Sequence, residues 1–135
     1  IGNLMQLFPN LKYNILGISN ELPKWNYNFY NELAKCKMSL NLSRGKPLKY
    51  TSSNRIAALV GNGIFTFIDI NTKFNDFFDD NEVGFYKNVK DLGNKIEYLL
   101  KYPKKINEYG KRGKEKYFKL FNNKIITKKI IEKTF

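Results

Sequence analysis

The stretch Met38-Ser-Leu-Asn-Leu-Ser-Arg-Gly-Lys-Pro-Leu-Lys-Tyr-Thr-Ser-Ser-Asn-Arg-Ile-Ala-Ala-Leu-Val-Gly-Asn-Gly-Ile-Phe-Thr-Phe-Ile-Asp69 decides how this chain folds. Met38, Leu40 and Leu42 alternate as in a strand, and a loop carrying Arg44, Lys46 and Lys49 follows. Thr51, Ser52, Ser53 and Asn54 are helix-starting residues, because their side-chain oxygens accept from the unpaired amides of a first turn. Arg55 to Val60 reads as a short apolar helix, and Gly61-Asn62-Gly63 stops it. Ile64–Ile68 is a near-continuous apolar run, the mark of a strand covered on both faces. Strand, basic loop, helix start and strand make a βαβ unit whose loop suits an anion.

The rest of the chain places this unit in one domain. At 135 residues, with 42% hydrophobic and 16% aromatic content, the sequence can bury most of its apolar surface. No apolar run reaches the ~18 residues of a membrane span, and no secretory leader opens the chain. Cys36 is the single cysteine, which excludes an internal disulfide and fits a reducing compartment. Histidine is absent, so Ser-His and Cys-His dyads within these residues are excluded. Opening on Ile1 with Leu4, Met5, Leu7 and Phe8 already on a helical face, the chain reads as part of a longer protein.

Net charge is +12 and is concentrated late in the sequence. From Lys101 to Phe135, eleven lysines and Arg112 face Glu108, Glu115 and Glu132, a surplus of nine. Such a surface attracts nucleic acid, anionic lipid or phosphorylated substrates. The plainer explanation is compositional, since Lys, Asn, Ile, Phe and Tyr abound throughout.

Read in order, Gly2–Phe8 is a helix ended by Pro9-Asn10, and Lys12–Ile18 is a strand weakened by Gly17. Trp25, Phe29, Leu33 and Cys36 fall at helical spacing, with Tyr30 and Ala34 beside them. Asn71–Asp80 predicts a short helix or turn, and Val83–Tyr86 a short strand. Val89, Leu92, Ile96, Leu99 and Leu100 predict an amphipathic helix over Val89–Leu100. Pro103 suits the first turn of the next helix, and Ile125, Ile126, Ile130 and Ile131 form a last apolar stripe. The expected fold is α/β: a Rossmann-like three-layer αβα domain over 1–135, with about four parallel strands and C-terminal helices packed across them.

Several motifs fail on inspection. Ser43-Arg44-Gly45-Lys46 is no Walker A loop, since Leu40 replaces its first glycine and Pro47 follows the lysine. Gly61-Asn62-Gly63 precedes a strand, so it is a helix cap and not a dinucleotide fingerprint. Asp76, Asp79, Asp80 and Glu82 lack calcium-loop spacing and read as a solvated loop. Cys36, between Lys35 and Lys37, falls on an apolar face and reads as an inert thiol. Trp25, Tyr27 and Tyr30 read as a core face in preference to a stacking platform for a base or sugar. Arg55 opposes the dipole of its own helix at a cost of about 0.3–1 kcal/mol. Two compensations stay open: a bound phosphate, or an ion pair with a strand-end carboxylate such as Asp69.

From about Lys12 onward the chain resembles the C-terminal half of GT-B glycosyltransferases, most of all the CgeB-type, glycosyl-transferase-family-1-like group of bacterial surface-polysaccharide clusters. The resemblance rests on the strand Met38–Ser43, the helix Ser53-Asn-Arg-Ile-Ala-Ala-Leu-Val-Gly-Asn-Gly63 and the strand after it. It continues in Phe77-Phe-Asp-Asp-Asn-Glu82, Val83–Tyr86, Val89–Leu100 and the closing Pro103, Ile106, Tyr109-Gly110, Gly113, Phe121-Asn122 pattern. It implies a Rossmann-like donor domain holding a UDP- or GDP-sugar, its diphosphate near the helix that carries Arg55. The candidate donor-binding set is Arg44, Lys49, Tyr50, Ser52, Ser53, Asn54 and Arg55, with no metal, no further cofactor and no catalytic residue in this chain. Many retaining members carry two glutamates eight positions apart, but those positions here are Tyr50 and Ala58. The acceptor-binding N-terminal half lies outside these residues, so the chain alone is expected not to turn over substrate.

The leading expectation is therefore the nucleotide-sugar-binding part of a cytoplasmic glycosyltransferase, partnered by its N-terminal Rossmann half. Its basic terminal helices would sit at the anionic inner face of the membrane. The alternative is a non-catalytic α/β module binding nucleic acid through those same helices.

Overall fold

The computed structural model describes residues 1–15, 22–43, 45–51 and 54–134. Among them the chain forms α1 (Gly2–Leu7), α2 (Asn26–Ala34), β1 (Met38–Asn41), α3 (Asn54–Val60), β2 (Phe65–Asp69), β3 (Gly84–Tyr86), α4 (Val89–Leu100), α5 (Pro103–Phe121) and α6 (Asn123–Thr134). Two 3-10 turns, Ile70–Thr72 and Phe74–Asp76, join β2 to β3. The strands lie in the order β1-β2-β3, all parallel, with Asn41 opposite Ile68 and Asp69 opposite Tyr86. This is the α/β, Rossmann-like layering expected from the alternation of strands and helices.

The central strand explains the layers. Phe65, Thr66, Phe67 and Ile68 are all buried, so β2 must be covered on both faces. Phe65 and Phe67 pack on one side with Leu4, Tyr86, Leu92, Leu99 and Ile106. Ile68 packs on the other with Ile56, Val60, Phe74, Phe78, Val83 and Phe85. Full burial of each such side chain contributes about 1.5–3 kcal/mol. Thr66, wholly buried among them, donates to the Ile64 carbonyl (2.8 Å) and accepts from Ser39 on β1 (2.8 Å), so its hydroxyl is satisfied.

The helix boundaries follow local chemistry. Gly63 takes φ +80° after α3 and its amide bonds the Val60 carbonyl at 2.9 Å, as its glycine permits. Asn88 caps α4 by accepting from the Asp91 amide (2.9 Å), while Asp91 accepts from the Lys87 amide (3.0 Å). Pro103 is the first residue of α5.

α5 ties the two faces together. Its first half, at Ile106 and Tyr109, joins the core of Phe65 and Phe67, whereas Tyr117 and Phe121 reach the core of Ile68. Between them Gly110 and Gly113 press the helix backbone against the chain entering β2 and β3. A Cβ at Gly110 would lie 2.1 Å from the Gly63 oxygen, and one at Gly113 would lie 2.3 Å from the Glu82 oxygen. The amino-terminal ends of β2 and β3 are thereby closed by α5.

Two expectations are corrected. The sheet has three strands among the described residues, not about four: residues 12–15 of the expected Lys12–Ile18 strand form none, and 16–18 lie outside the described residues. That segment is held by side chains instead, Tyr13 donating to the Phe8 carbonyl (2.9 Å) and Asn14 to Glu32 (3.2 Å). Trp25, Tyr27 and Tyr30 are exposed, not core, and Leu33 alone among the described residues of α2 is buried. The α6 isoleucine stripe is likewise left outside the core. Glu32, bonded to Lys24, Lys35 and Asn14, is pulled down to about 2, and it anchors α2 to the preceding segment.

Gly110→Ala is expected to destabilise the fold by upward of about 2 kcal/mol in urea denaturation, because the obstructing atom is backbone that cannot step aside. Gly2→Ala, with open space around it, serves as the neutral control.

Candidate functional site

With the amino ends closed, the carboxyl edge of the sheet is where two long connections emerge side by side. Of the residues after β1, 42–43 and 45–51 are described, and residues 70–83 leave β2 beside them. Tyr50 clasps them together. Its amide donates to the Thr72 carbonyl (2.8 Å), and its hydroxyl to Asp76 Oδ2 (2.5 Å). Its ring meets Phe77 edge-on at 5.2 Å, and Lys49 Nζ stands 4.6 Å above the ring. Tyr50 adopts φ +58°, a left-handed backbone costing a bulky residue about 1–3 kcal/mol. These contacts hold it there, which sets where Lys49 and the start of α3 project.

On the α3 side, Asn54 and Arg55 are exposed in the first turn. α3 has only seven residues, so its dipole is small and side-chain cations must supply most of any pull on an anion. Asp69 does not neutralise Arg55. Its carboxylate accepts from the Asn71 amide (2.8 Å) and Asn71 Nδ2 (2.9 Å), fastening the turn that presents Thr72. Among the described residues Arg55 forms no ion pair. Lys49, Tyr50, Asn54 and Arg55 are each exposed to solvent. Arg44, Ser52 and Ser53, the remaining members of the expected set, lie outside the described residues.

Two buried groups sit at the same edge. Asn41 closes β1 opposite Ile68, is 6% exposed, and its Oδ1 has no hydrogen-bond partner among the described residues. A buried acceptor without a partner costs about 1–3 kcal/mol. Tyr86 closes β3; burial, and then the charge of Asp69, raise its hydroxyl above the usual tyrosine range, keeping it neutral.

Comparison with family models gives a match to the family described as glycosyl transferase-like, over residues 3–132. The chain belongs to the glycosyl transferase-like family. No curated protein and no solved structure matches it. Membership of this glycosyltransferase family agrees with the resemblance carried by the Met38–Asp69 unit and the closing Pro103–Asn122 pattern, and the match takes in the clasped loops as well as α5.

Within that family domain, the other candidate groups stand apart from the carboxyl edge. Asp79 and Glu82 close the turn into β3, the Glu82 carboxylate accepting from the Asp79 amide at 2.9 Å, and Lys116 lies 4.0 Å from Glu82. No group of three or more potential metal ligands forms among the described residues. Cys36 donates to the Glu32 carbonyl (3.4 Å), and burial pushes its thiol up, as an inert cysteine requires. A separate cavity of about 260 Å³ opens beside β3, lined by Phe67, Gly84, Lys95, Tyr98, Leu99 and Tyr109 among others. Lys95 is already committed there, donating to the Phe85 carbonyl (2.6 Å) and to Asp91 (3.2 Å).

Sequence reasoning missed Asn41 and Asp76. Asn41 carried a usable signal, an amide residue at the end of an otherwise strand-forming run. Asp76 did not, because only the fold separates it from Asp79, Asp80 and Glu82. Tyr50→Phe and Asp76→Asn are each expected to cost about 1 kcal/mol in urea denaturation, and the double variant little more than either alone. Additive or negligible effects would mean that the clasp does not form in solution.

Proposed function

We propose that this domain binds the nucleotide-sugar donor of a GT-B glycosyltransferase, with the donor diphosphate at the carboxyl edge between the clasped loops and α3. The observation that supports this most is the glycosyl transferase-like family match over residues 3–132, taken with the exposed Lys49 and Arg55, which form no ion pair among the described residues. Lys49 and Arg55 neutralise phosphate charge, Asn54 offers its amide and side chain, and Tyr50 positions the loop. Arg44, Ser52 and Ser53, adjacent in sequence, complete the expected set. As the glycosidic bond breaks, these fixed positive groups stabilise the nucleoside diphosphate leaving group, an electrostatic contribution that strengthens as its charge develops. No metal is assigned a part.

Tyr50 and Ala58 stand where many retaining relatives carry glutamates, so ribose recognition has to come from elsewhere. Asn41, whose buried Oδ1 has no partner among the described residues, is the polar acceptor assigned to the donor. The acceptor sugar and the catalytic base belong to a second Rossmann half facing this edge. The resemblance to CgeB-type proteins points to bacterial surface polysaccharide or glycoconjugate synthesis on the cytoplasmic side.

Calorimetry with UDP, GDP and their sugars tests the reading. Binding is expected at or below millimolar concentration, with Arg55→Ala and Lys49→Ala each weakening it about tenfold, as loss of a charged hydrogen bond does. Replacing Lys111, Lys114 and Lys119 on α5 with glutamine is expected to leave it unchanged. Absence of binding, or equal affinity in Arg55→Ala, would overturn the assignment. Loss on the α5 substitutions with steep salt dependence would instead favour nucleic-acid binding.

A further inference from the structure

The cavity of about 260 Å³ beside β3 is lined from β2, β3, α4 and α5 and from the turn that enters β3. That turn carries Asp80 and Asn81 ahead of the amino end of β3. They therefore stand at the opposite end of the strand from the carboxyl edge, which the second Rossmann half is taken to face. The cavity wall is aromatic. Phe65 and Phe67 meet edge-on at 5.3 Å, and Tyr109 packs against Phe65 at 5.6 Å. Gly84 lets Phe67 lie close to β3, since a Cβ there would come within 2.5 Å of its ring. Tyr98 is the exposed aromatic of the lining, at 51%. Tyr102 packs against it at 5.1 Å, and Lys105 donates to its hydroxyl at 3.4 Å, so its place is fixed.

This lining selects its guest by charge and by shape. Asp80 is exposed and forms no ion pair among the described residues, so its carboxylate repels an anion. Lys95, held by the Phe85 carbonyl (2.6 Å) and Asp91 (3.2 Å), keeps an ammonium group in the same lining and opposes a cation. A wholly apolar guest would strip water from Asp80 and Asn81 and give them no partner in return. A neutral ring that is apolar on its face and carries hydroxyl donors on its rim meets both demands. Its C–H face lies on the aromatic wall, and its hydroxyls donate to Asp80 and Asn81. The volume also limits the choice. It falls below the about 300–1,000 Å³ of sites for drug-sized ligands, so it holds one such ring and not a nucleotide.

We propose that this cavity is a carbohydrate-holding site apart from the reaction, taking one neutral pyranose against Tyr98 and Tyr109 with its hydroxyls at Asp80 and Asn81. Standing away from the carboxyl edge, it grips a saccharide without touching the bond that breaks there. Its affinity is modest, because a single sugar ring offers few contacts and Asp80 stays partly in water. The inference does not depend on donor binding at the carboxyl edge, and the two are read from different amides.

The test is an NMR titration of the full chain with the methyl glycosides of glucose, galactose and N-acetylglucosamine, each raised through the millimolar range. At least one is expected to saturate, shifting the amides of Asn81, Gly84, Lys95, Tyr98 and Tyr109. Asp80→Ala is expected to weaken that sugar about tenfold, as loss of a charged hydrogen bond does, and Tyr98→Ala about fivefold. Both side chains are exposed, and circular dichroism checks that the fold is kept. UDP is expected to leave these amides still, and its failure to bind would count against the donor reading alone. Three results overturn the proposal. One is no saturable shift with any of the three sugars. Another is sugar binding indifferent to both substitutions. The third is a stronger response of the same amides to indole or to tetramethylammonium, which would make the cavity an apolar or a cation site.

Discussion

The backbone of α5 lies directly against the carbonyls of Gly63 and Glu82, and that contact governs the rest of the molecule. It is possible only because positions 110 and 113 carry no side chain. Through it a single helix reaches both cores, with Ile106 on one face of β2 and Phe121 on the other. The same contact closes the amino ends of β2 and β3. A parallel sheet presents its ligands at the carboxyl ends of its strands, where the connecting loops diverge. Sealing one end with helix backbone leaves the other for function.

At that other end the structure spends energy in ways that folding alone does not require. Tyr50 is held in a left-handed conformation, and among the described residues Asn41 keeps a buried acceptor without a partner and Arg55 stands near the start of a helix without a counter-ion. The first two each cost about 1–3 kcal/mol, and the third at most about 0.3–1 kcal/mol. A ligand with dispersed negative charge and hydrogen-bonding groups would recover those costs on binding. Among the described residues the edge is an exposed surface and not an enclosed pocket.

Much of this was legible in the residues. Val89–Leu100 could be read to the residue, because its apolar periodicity begins at a capping asparagine and ends before Tyr102-Pro103. The βαβ unit was legible because Gly61-Asn62-Gly63 sharply divides a helical pattern from an all-buried run. The expected strand at Lys12–Ile18 failed where described because its apolar residues are used locally, with Tyr13 tied to the carbonyls of α1. The aromatic face of α2 read as core because hydrophobic spacing reports which residues want burial and not what covers them. The Tyr50–Asp76 clasp joins positions 26 apart through a positive φ, and no propensity encodes such a pairing.

The most direct measurement is the set of backbone amide shifts recorded by NMR as UDP or GDP is titrated into the chain. If the carboxyl edge holds the diphosphate, the perturbed amides are those of Asn41, Lys49 to Thr51, Asn54 to Ile56 and Thr72 to Asp76, with α5 and α6 silent. Perturbation centred on α5 and α6, or on the cavity beside β3, would place the nucleotide elsewhere and contradict the claim.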